Sequence, residues 1–281
     1  MNSKTDKGIV YIATGDKFIK EATLSAKSVK KHMPEVSITL MTDKILDINL
    51  FDNIIEIEKP RNDFGDQVFH MKRTPYKKTI FLDSDIYLDD TIEDLFEILN
   101  DFDLAACHNQ TNYSSERIDI PEINNIPACF PEYNSGVVAF NKNDKVINFL
   151  SQWENYYNKV LKKGQIHNQA AFRSALYYSD LRIATLPQEY NCVIRRPGCV
   201  NGRVKVFHGR LMGISSPGAS MSVDVKKAAE VLNRSEKLRI YHNIGNEIEI
   251  VEPGLFKKLI FKLRNYGLII TIKKLIKSLT N

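Results

Sequence analysis

The sequence feature that most constrains the fold is an apolar run that stops at two acidic residues. It lies in residues 78–88, which read KTIFLDSDIYL. A β-branched apolar run ended abruptly by carboxylates is typical of a buried strand. We therefore expect the carboxyl end of this strand to bring Asp83 and Asp85 to a solvent-facing crevice, where open α/β sheets bind their ligands.

An Asp-x-Asp pair at a strand end is suited to a hard divalent cation. Mg²⁺ and Mn²⁺ prefer oxygen ligands and complete their coordination with water or substrate phosphate. The pair therefore favours a metal that is shared with a phosphate group. The same residues also fit an ordinary turn or helix cap, because Asp and Ser side chains bond to nearby backbone. The metal interpretation thus depends on the rest of the chain.

Strand and helix patterns alternate before this motif. Strand-like runs cover residues 8–14, 36–42 and 53–57, and apolar residues at helical spacing follow Gly15 and end before Pro34. The alternation predicts βαβ units and a mostly parallel central sheet with right-handed crossovers. Thr14 and Asp83, each at a strand end, would then face the same crevice.

The two common glycine motifs for phosphate binding do not occur. The sequence contains neither G-x-G-x-x-G nor G-x-x-x-x-G-K-[ST]. Neither a dinucleotide fingerprint nor a P-loop is therefore available to hold phosphates. A metal would have to perform that role.

The second half of the chain contains further candidate features. Residues 109–131 are polar and proline-containing without a clear period, which is typical of a functional or mobile loop. Gly136, in an Asn-Ser-Gly that opens an apolar strand, fits either a close approach of backbone to a ligand or a β-bulge. Aromatic and aliphatic residues at helical spacing predict a helix over 144–162, and we interpret these side chains as core. His208 ends a short predicted strand at 204–207 and by itself fits a structural histidine as well as a ligand.

Composition indicates an ordinary globular protein. The chain has 281 residues, 43% of them hydrophobic and 26% charged, which is enough for one large domain or two small ones. No apolar run reaches the length of a membrane span, and the first residues lack the pattern of a signal peptide. Four scattered cysteines without C-x-x-C favour reduced, mostly buried thiols. We expect a cytoplasmic protein.

Positive charge is concentrated at the end of the chain. The net charge is +5, but residues 253–281 contain seven basic and no acidic residues, and removing these leaves −2 for residues 1–252. The near-neutral body argues against a nucleic-acid partner. Lysines and long aliphatic residues at helical spacing in 253–281 predict basic amphipathic helices on an anionic membrane surface, at the inner face of the membrane. Helices packed on the domain with a solvated basic face are the alternative.

Five features in a fixed order resemble the GT-A nucleotide-sugar glycosyltransferases, most closely the glycogenin-like members of glycosyltransferase family 8. The resemblance spans residues 9–213. It rests on Ala13-Thr14, on FLDSD at 81–85, on YNSGV at 133–137, on Asn168-Gln169 with Phe172, and on VFHG at 206–209. It implies an α/β, Rossmann-like single domain over 1–215. We expect a helical extension over 216–252 and the basic tail over 253–281 to follow it.

The resemblance also implies roles for residues at the matching positions. Asp83 and Asp85 match the family's D-x-D pair and His208 its third metal ligand, so the expected cofactor is Mn²⁺ or Mg²⁺. The remaining assignments are Ala13, Thr14 and Ser84 to the nucleotide; Glu132, Asn134, Ser135, Gly136 and Asn168 to the donor-sugar pocket; Gln169 with Asp83 and Asp85 to catalysis; and Arg210 to phosphate.

Three positions depart from the family pattern. Gln67 stands about where a donor-contacting Lys or Arg is expected, and Asn168 replaces the usual Asp. No K-P-W follows His208, so Arg210 is the available phosphate-binding charge. These departures affect the residues around the sugar and the leaving group rather than the metal ligands.

The expected activity is metal-dependent transfer of a hexose from a nucleoside diphosphate sugar, most simply a UDP-sugar, to a glycan or lipid-linked acceptor with retention of configuration. A catalytically idle nucleotide-sugar-binding module is the main alternative, because Gln67 and Asn168 lack the family's charges. A D-x-D phosphatase is disfavoured because its motif normally follows the first strand. A nucleotidyltransferase would need a glycine-rich, lysine-containing loop after the first strand, which this sequence lacks.

Overall fold

Strands and helices alternate along the chain as the sequence predicts. The computed structural model describes residues 6–44, 49–110, 115, 118–210, 224–244, 247–251 and 263. The strands are β1 (Lys7–Ile12), β2 (Ser37–Thr42), β3 (Asn53–Glu56), β4 (Lys78–Leu82), β5 (Ile86–Leu88), β6 (Leu104–His108), β7 (Tyr133–Asn141), β8 (Ile183–Leu186), β9 (Cys192–Val193), β10 (Gly198–Val200), β11 (Val206–His208), β12 (Arg239–Ile244) and β13 (Glu247–Ile250). The helices are α1 (Asp16–His32), α2 (Gly65–His70), α3 (Asp94–Ile98), α4 (Pro121–Asn124), α5 (Asp144–Lys162), α6 (Gln169–Tyr177) and α7 (Val225–Leu232).

The strands of the central sheet run mostly in one direction. Within the described residues this sheet has seven strands, in the order β3-β2-β1-β4-β7-β6-β8. The neighbours among β3, β2, β1 and β4 are parallel, as are β6 and β8, whereas β7 is antiparallel to β4 and β6. The mostly parallel α/β sheet is thus confirmed. The carboxyl ends of β1 and β4 lie side by side at one edge.

A small sheet, β5-β11-β9, brings a late part of the chain to the end of β4. β11 is antiparallel to β5, with His208 opposite Ile86, and parallel to β9, with His208 opposite Val193. Because Ile86 directly follows Asp85, this register places the imidazole beside the Asp-x-Asp pair.

Helix α5 has the bounds that its apolar spacing predicts. The Asn143 side chain caps it by accepting a hydrogen bond from the Val146 amide at 2.9 Å. Its apolar stripe is buried against the sheet and α6, which confirms that these side chains form core rather than a ligand stack. The stripe consists of Val146, Phe149, Leu150, Trp153, Tyr157 and Val160.

The described residues between β6 and β7 are more ordered than the polar composition of this segment predicts. Its described part contains α4. Four of its isoleucines, at 118, 120, 123 and 126, are buried. Arg173, on α6, donates to the carbonyl oxygens of Pro127 and Phe130. These contacts fix residues 118–131, whereas 111–114, 116 and 117 lie outside the described residues.

The region expected to be a helical extension, 216–252, contains strands as well as a helix. Its described residues form α7 and the hairpin β12–β13, and β12 pairs with β10. The hairpin alternates apolar and polar residues, a period that suits a strand rather than a helix. The expected tail, 253–281, lies outside the described residues except for Leu263.

Two further observations concern membrane-spanning helices and thiols. Helices in the described part of the chain are too short or too polar to cross a membrane. The cysteines are free as expected, but only Cys107 and Cys192 are buried, whereas Cys129 and Cys199 are exposed.

Candidate functional site

Two aspartates and a histidine meet at the carboxyl edge of the central sheet. Asp83 and Asp85 flank the short turn between β4 and β5, and His208 ends β11. The His208 Nε2 atom lies 3.7 Å from Asp83 Oδ2 and 3.3 Å from Asp85 Oδ1. One ligand atom from each of the three residues lies within 4.8 Å of the others. The structure thus brings together the three residues singled out as metal ligands.

Gly136 forms the floor of this cluster. Its carbonyl oxygen accepts a hydrogen bond from the Asp83 amide at 2.8 Å. A Cβ atom at position 136 would lie 2.4 Å from His208 Cε1 and 2.7 Å from Asp83 Oδ2. The β6–β7 register shifts beside this position, so the strand is irregular where it approaches the cluster. The irregular register fits the bulge interpretation of Asn-Ser-Gly, and the missing side chain also leaves room for His208 and Asp83 beside the backbone.

Hydrogen bonds determine which nitrogen of His208 faces the aspartates. The Gly136 amide can only donate, and it donates to Asn134 Oδ1 at 2.9 Å. Asn191 Nδ2 donates to the same oxygen at 2.9 Å, which turns Asn191 Oδ1 towards His208 Nδ1 at 2.8 Å. The Nδ1 atom of His208 must therefore carry the proton. In the neutral imidazole, Nε2 then presents a lone pair to Asp83 and Asp85, as metal ligation requires.

The same amide network continues to the predicted sugar side. Asn134 Nδ2 donates to Asn109 Oδ1 at 3.1 Å. Asn109 Nδ2 in turn donates to Glu132 Oε1 at 2.8 Å and Gln169 Oε1 at 3.1 Å. Because a carboxylate only accepts, Glu132 fixes the sense of this part of the network.

The cluster has the properties of a cation site. Asp85 is 3% exposed, yet its Oδ2 atom has no hydrogen-bond partner in the described part of the chain. A buried carboxylate oxygen without a partner is costly unless a cation or donor satisfies it. Two carboxylates and an imidazole lone pair around a floor that only glycine permits fit a divalent metal.

The pKa values of the two carboxyl groups are shifted in opposite directions. Loss of solvent, opposed by His208 and reinforced by the Asp85 charge, raises the pKa of Asp83 to about 6. Burial alone would raise the pKa of Asp85, but His208 and Arg210 outweigh it and hold that pKa well below its usual range. At a given pH, Asp85 is therefore ionised to a greater extent than Asp83.

Arg210 borders the cluster on the side of α1. Its Nη1 atom donates to Glu21 Oε2 at 2.7 Å, and its Nε atom lies 3.6 Å from Asp85 Oδ2. The guanidinium lies over the Phe18 ring at 5.5 Å. Burial disfavours the charged form, but Asp85, Glu21 and Asp83 outweigh it and raise the pKa of Arg210. A permanent positive charge thus lies beside the candidate metal ligands.

No family model and no curated protein matches this sequence, but solved structures match its fold. The galactosyltransferase LgtC, solved with donor and acceptor sugar analogs, aligns with a TM-score of 0.53 at 13% identity over 78% of this chain and 91% of LgtC. The bifunctional glycosyltransferase WbbM aligns with a TM-score of 0.50 at 16% identity over 70% of this chain and 41% of WbbM. The chain has the GT-A fold.

The glycosyltransferase GlyE of Streptococcus pneumoniae TIGR4 aligns less well, with a TM-score of 0.49 at 18% identity over 67% of this chain. The chain spans about half of GlyE, 48% of its length. The alignments with LgtC and WbbM support the fold, and identities this low leave the activity to be argued from the residues of the site.

In this GT-A fold, the residues assigned to the nucleotide lie on the β1 side of the cluster. Ala13 and Thr14 directly follow β1 and are buried. Thr14 Oγ1 donates to Asp66 Oδ2 at 2.6 Å, and Asp66 also accepts from the amides of Arg61 and Asn62. Asp66 therefore holds the turn at 61–62 against the end of β1.

The residues assigned to the donor sugar divide into two groups. Asn134, Ser135 and Gly136 lie on β7 beside the metal cluster. Glu132 is fully buried, and besides Asn109 it accepts from the amide and hydroxyl of Ser115. Glu132 thus anchors the segment between β6 and β7.

Two departures from the family pattern are bonded to each other. Asn168 Nδ2 donates to Gln67 Oε1 at 2.6 Å, and Gln67 Nε2 donates to the Ser135 carbonyl oxygen at 2.7 Å. The Ser135 hydroxyl donates to Asn168 Oδ1 at 3.1 Å, which closes a ring of buried hydrogen bonds. An uncharged amide pair therefore stands where the resemblance implies a cation and a carboxylate.

The backbone that carries Asn168 is held from α5. Trp153 Nε1 donates to the Asn168 carbonyl oxygen at 3.2 Å, and the Tyr157 hydroxyl donates to the Ile166 carbonyl oxygen at 2.8 Å. Gln169 follows as the first residue of α6. The core helix thus positions the start of α6 at the sugar side of the site.

Sequence reasoning missed four polar residues that shape the site. Asn109 and Asn191 have no role assigned from the sequence, and their contacts in the structure supply one. Asp66 lies on a short helix without a clear period. Glu21 had a detectable signal, because it begins a polar i, i+4, i+7 series with Ser25 and Ser28 on a helix expected to bury one face. All three members of that series are buried.

Proposed function

We propose that this protein is a metal-dependent glycosyltransferase of the family 8 type, which transfers a hexose from a nucleoside diphosphate sugar. The observation that carries the proposal is the convergence of Asp83, Asp85 and the His208 Nε2 lone pair over Gly136. The cluster lies at the carboxyl edge of a GT-A sheet, where α/β folds bind ligands. The expected ion is Mn²⁺ or Mg²⁺, and the imidazole ligand favours Mn²⁺.

The chain's own residues account for the binding steps. Asp83, Asp85 and His208 would hold the ion, which when bound stabilises the departing diphosphate as a Lewis acid. Arg210 adds a fixed positive charge on the same side. Ser84 donates to Glu21 Oε2 at 3.1 Å and lies between the two aspartates in sequence. These groups select a substrate with a diphosphate.

The donor is most simply a UDP-sugar, with the base beside Ala13 and Thr14. Asn134, Ser135 and Gly136 would line the sugar, with Asn168 and Gln169 across from them. Asn168 provides no carboxylate to act as a nucleophile. Transfer with retention would then proceed by attack of the acceptor on the face from which the diphosphate leaves, and Gln169 would orient the reacting groups.

Slow hydrolysis of the donor tests this proposal without knowledge of the acceptor. The full-length protein is incubated with Mn²⁺ and a panel of nucleotide sugars, and free sugar is measured. We expect release from one donor, loss of release with EDTA, and loss in Asp85→Ala. Phosphate release from simple phosphomonoesters instead would indicate a phosphatase.

A nucleotide-sugar-binding module is the second candidate, favoured by the Gln67–Asn168 pair. This pair removes two charges from the sugar side while its hydrogen bonds keep the pocket ordered. The same panel separates the two functions. Tight binding of one nucleotide sugar without hydrolysis or transfer would support the module.

The acceptor side of the proposal rests on the tail. Residues 253–281, with seven basic and no acidic residues, would hold the enzyme at an anionic membrane surface. A transferase in that place would meet glycan or lipid-linked acceptors. The proposed organisation is a catalytic domain over 1–215, an extension over 216–252 and the membrane-surface tail.

A further inference from the structure

Glu21 is a buried carboxylate on α1 that neither the sequence pattern nor the resemblance assigns. It is 0% exposed and lies on the face of α1 that packs against the sheet. Its Oε2 atom accepts hydrogen bonds from Arg210 Nη1 at 2.7 Å and Ser84 Oγ at 3.1 Å. A charged group in this position is costly to bury unless its partners require it.

Arg210 lies between two carboxylates and bonds to only one of them. Its Nη1 atom donates to Glu21, whereas its Nε atom remains 3.6 Å from Asp85 Oδ2. Both that nitrogen and that oxygen are buried without a hydrogen-bond partner in the described part of the chain. The two atoms lie at ion-pair distance without a hydrogen bond, and a small movement of the guanidinium would form one. The contact with Glu21 opposes that movement.

We propose that Glu21 is a positioning residue that restrains Arg210 from hydrogen-bonding to Asp85 and so keeps the metal site open. Asp85 Oδ2 then remains available to a cation, and Arg210 remains available to the phosphates that accompany it. This inference rests on the proposed function, because it requires a metal at Asp83, Asp85 and His208.

The charges in direct contact agree with this role. Asp83, Asp85 and Glu21 contribute three negative charges and Arg210 one positive charge, which leaves two negative charges for a divalent cation. Arg195 also acts on both aspartates through its charge. Without Glu21, the contacting groups would retain one negative charge, and Arg210 would be free to pair with Asp85. Both effects weaken cation binding, since buried charges interact strongly at these distances.

Titration with Mn²⁺ alone tests the inference. Isothermal calorimetry is performed on the full-length protein and on Glu21→Gln, Arg210→Gln and the double variant. We expect Glu21→Gln to weaken Mn²⁺ binding by at least tenfold and Arg210→Gln not to weaken it. The double variant should bind within about threefold of the wild type, because it removes the competing cation together with its partner.

The double variant also separates positioning from folding. Glu21→Gln leaves the buried Arg210 charge poorly compensated and can destabilise the protein, whereas removal of both groups avoids this. Glu154→Gln is the matched control. Glu154 forms an ion pair with Lys72, with 2.7 Å between Oε2 and Nζ, and this pair lies away from the site. This variant should leave Mn²⁺ binding unchanged.

Each remaining outcome decides the matter. If Glu21→Gln binds Mn²⁺ like the wild type, or if the double variant stays as weak as Glu21→Gln, the positioning role is wrong and the proposed function stands. If the wild type itself does not bind Mn²⁺, both are wrong. Restored binding in the double variant supports the positioning role.

Discussion

Single residues determine whether the cation site can form. The clearest case is Gly136, whose missing side chain leaves the space that a ligand atom of Asp83 and the ring of His208 occupy. Asn191 has a complementary role, because its oxygen directs the proton of His208 to Nδ1. Neither residue contributes a ligand to the proposed metal site. Each acts through the geometry of the residues that do.

We predict that Gly136→Ala strongly weakens metal binding while the protein still folds. The added methyl group would lie 2.4 Å from His208 Cε1 and 2.7 Å from Asp83 Oδ2, so both ligands must move apart. Mn²⁺ affinity measured by calorimetry should fall at least tenfold. Gly202→Ala is the control. Gly202 has a φ of 96°, so this change strains the backbone and lowers stability by about 1 kcal/mol without changing Mn²⁺ affinity. Equal Mn²⁺ affinity in Gly136→Ala and wild type would contradict the site.

Asn191→Leu should weaken Mn²⁺ binding about 10- to 100-fold, the usual cost of losing a hydrogen-bond partner behind a metal-ligating histidine. Leucine has a similar shape but cannot accept the proton of His208 Nδ1, so the ring loses its fixed orientation and tautomer. Calorimetry with Mn²⁺ measures the effect. Asn124→Leu, at an exposed residue bonded to Asp119, should bind as wild type does. If Asn191→Leu also binds Mn²⁺ as the wild type does, the proposed role of Asn191 in orienting His208 is wrong.

At the scale of elements, one carboxylate links β6, β8 and α5 at the edge of the sheet opposite the site. Asp103, just before β6, accepts from the Arg182 amide and from Asn143 Nδ2, each at 3.0 Å. Asn143 is the residue that caps α5. Because α5 in turn supports the backbone at Ile166 and Asn168, this edge helps to fix the far end of the site.

The stability that Asp103 provides should depend on pH. Partial burial disfavours its charge, but bonds from Arg182 and Asn143, helped by the nearby Lys145 and Arg182 charges, outweigh it and lower the pKa of Asp103. A lowered folded-state pKa stabilises the protein above the unfolded-state pKa of about 3.9, and this contribution is lost as pH falls through the folded-state value.

We therefore predict that Asp103→Asn lowers the free energy of unfolding by about 1 kcal/mol at pH 7, and that this difference shrinks as pH falls below about 4. Urea denaturation at pH 7 and pH 3 measures both values. Asp101→Asn, at an exposed neighbour, should have no comparable effect. A difference that is independent of pH would show that the charge of Asp103 is not responsible.

At the scale of the whole molecule, the periodicity of apolar residues predicts the elements that form from short, continuous stretches of sequence. The parallel sheet, the bounds of α5 and the strand that ends at Asp83 follow from apolar spacing over a few residues. The ring of Gln67, Ser135 and Asn168 does not, because it joins positions far apart in the chain. The sequence analysis expected a helical extension where β12 and β13 form strands, because alternating runs this short give only a weak strand signal.

The candidate site divides in the same way. Its ligands were recognisable because motif residues have fixed types and order, and His208 became a ligand candidate only through the resemblance. Two of its supporting residues, Asn109 and Asn191, are placed by the register of β11, β5 and β9 and by which loops face each other. Such nonlocal pairing is set by packing of the complete fold and leaves little trace in one sequence.

The last prediction concerns how the whole molecule meets its acceptor. If residues 253–281 bind an anionic membrane, replacing Lys257, Lys258 and Lys262 by Gln should reduce binding to phosphatidylserine vesicles about 100-fold, since each lysine contributes about 1 kcal/mol. Cosedimentation measures the bound fraction, which should fall with added salt. Glutamine at Lys27, Lys31 and Lys145, exposed lysines of the body, is the control and should have a much smaller effect. A full-length protein that binds anionic and neutral vesicles equally poorly would make the tail a structural element, and the acceptor would then have to come to the enzyme in solution.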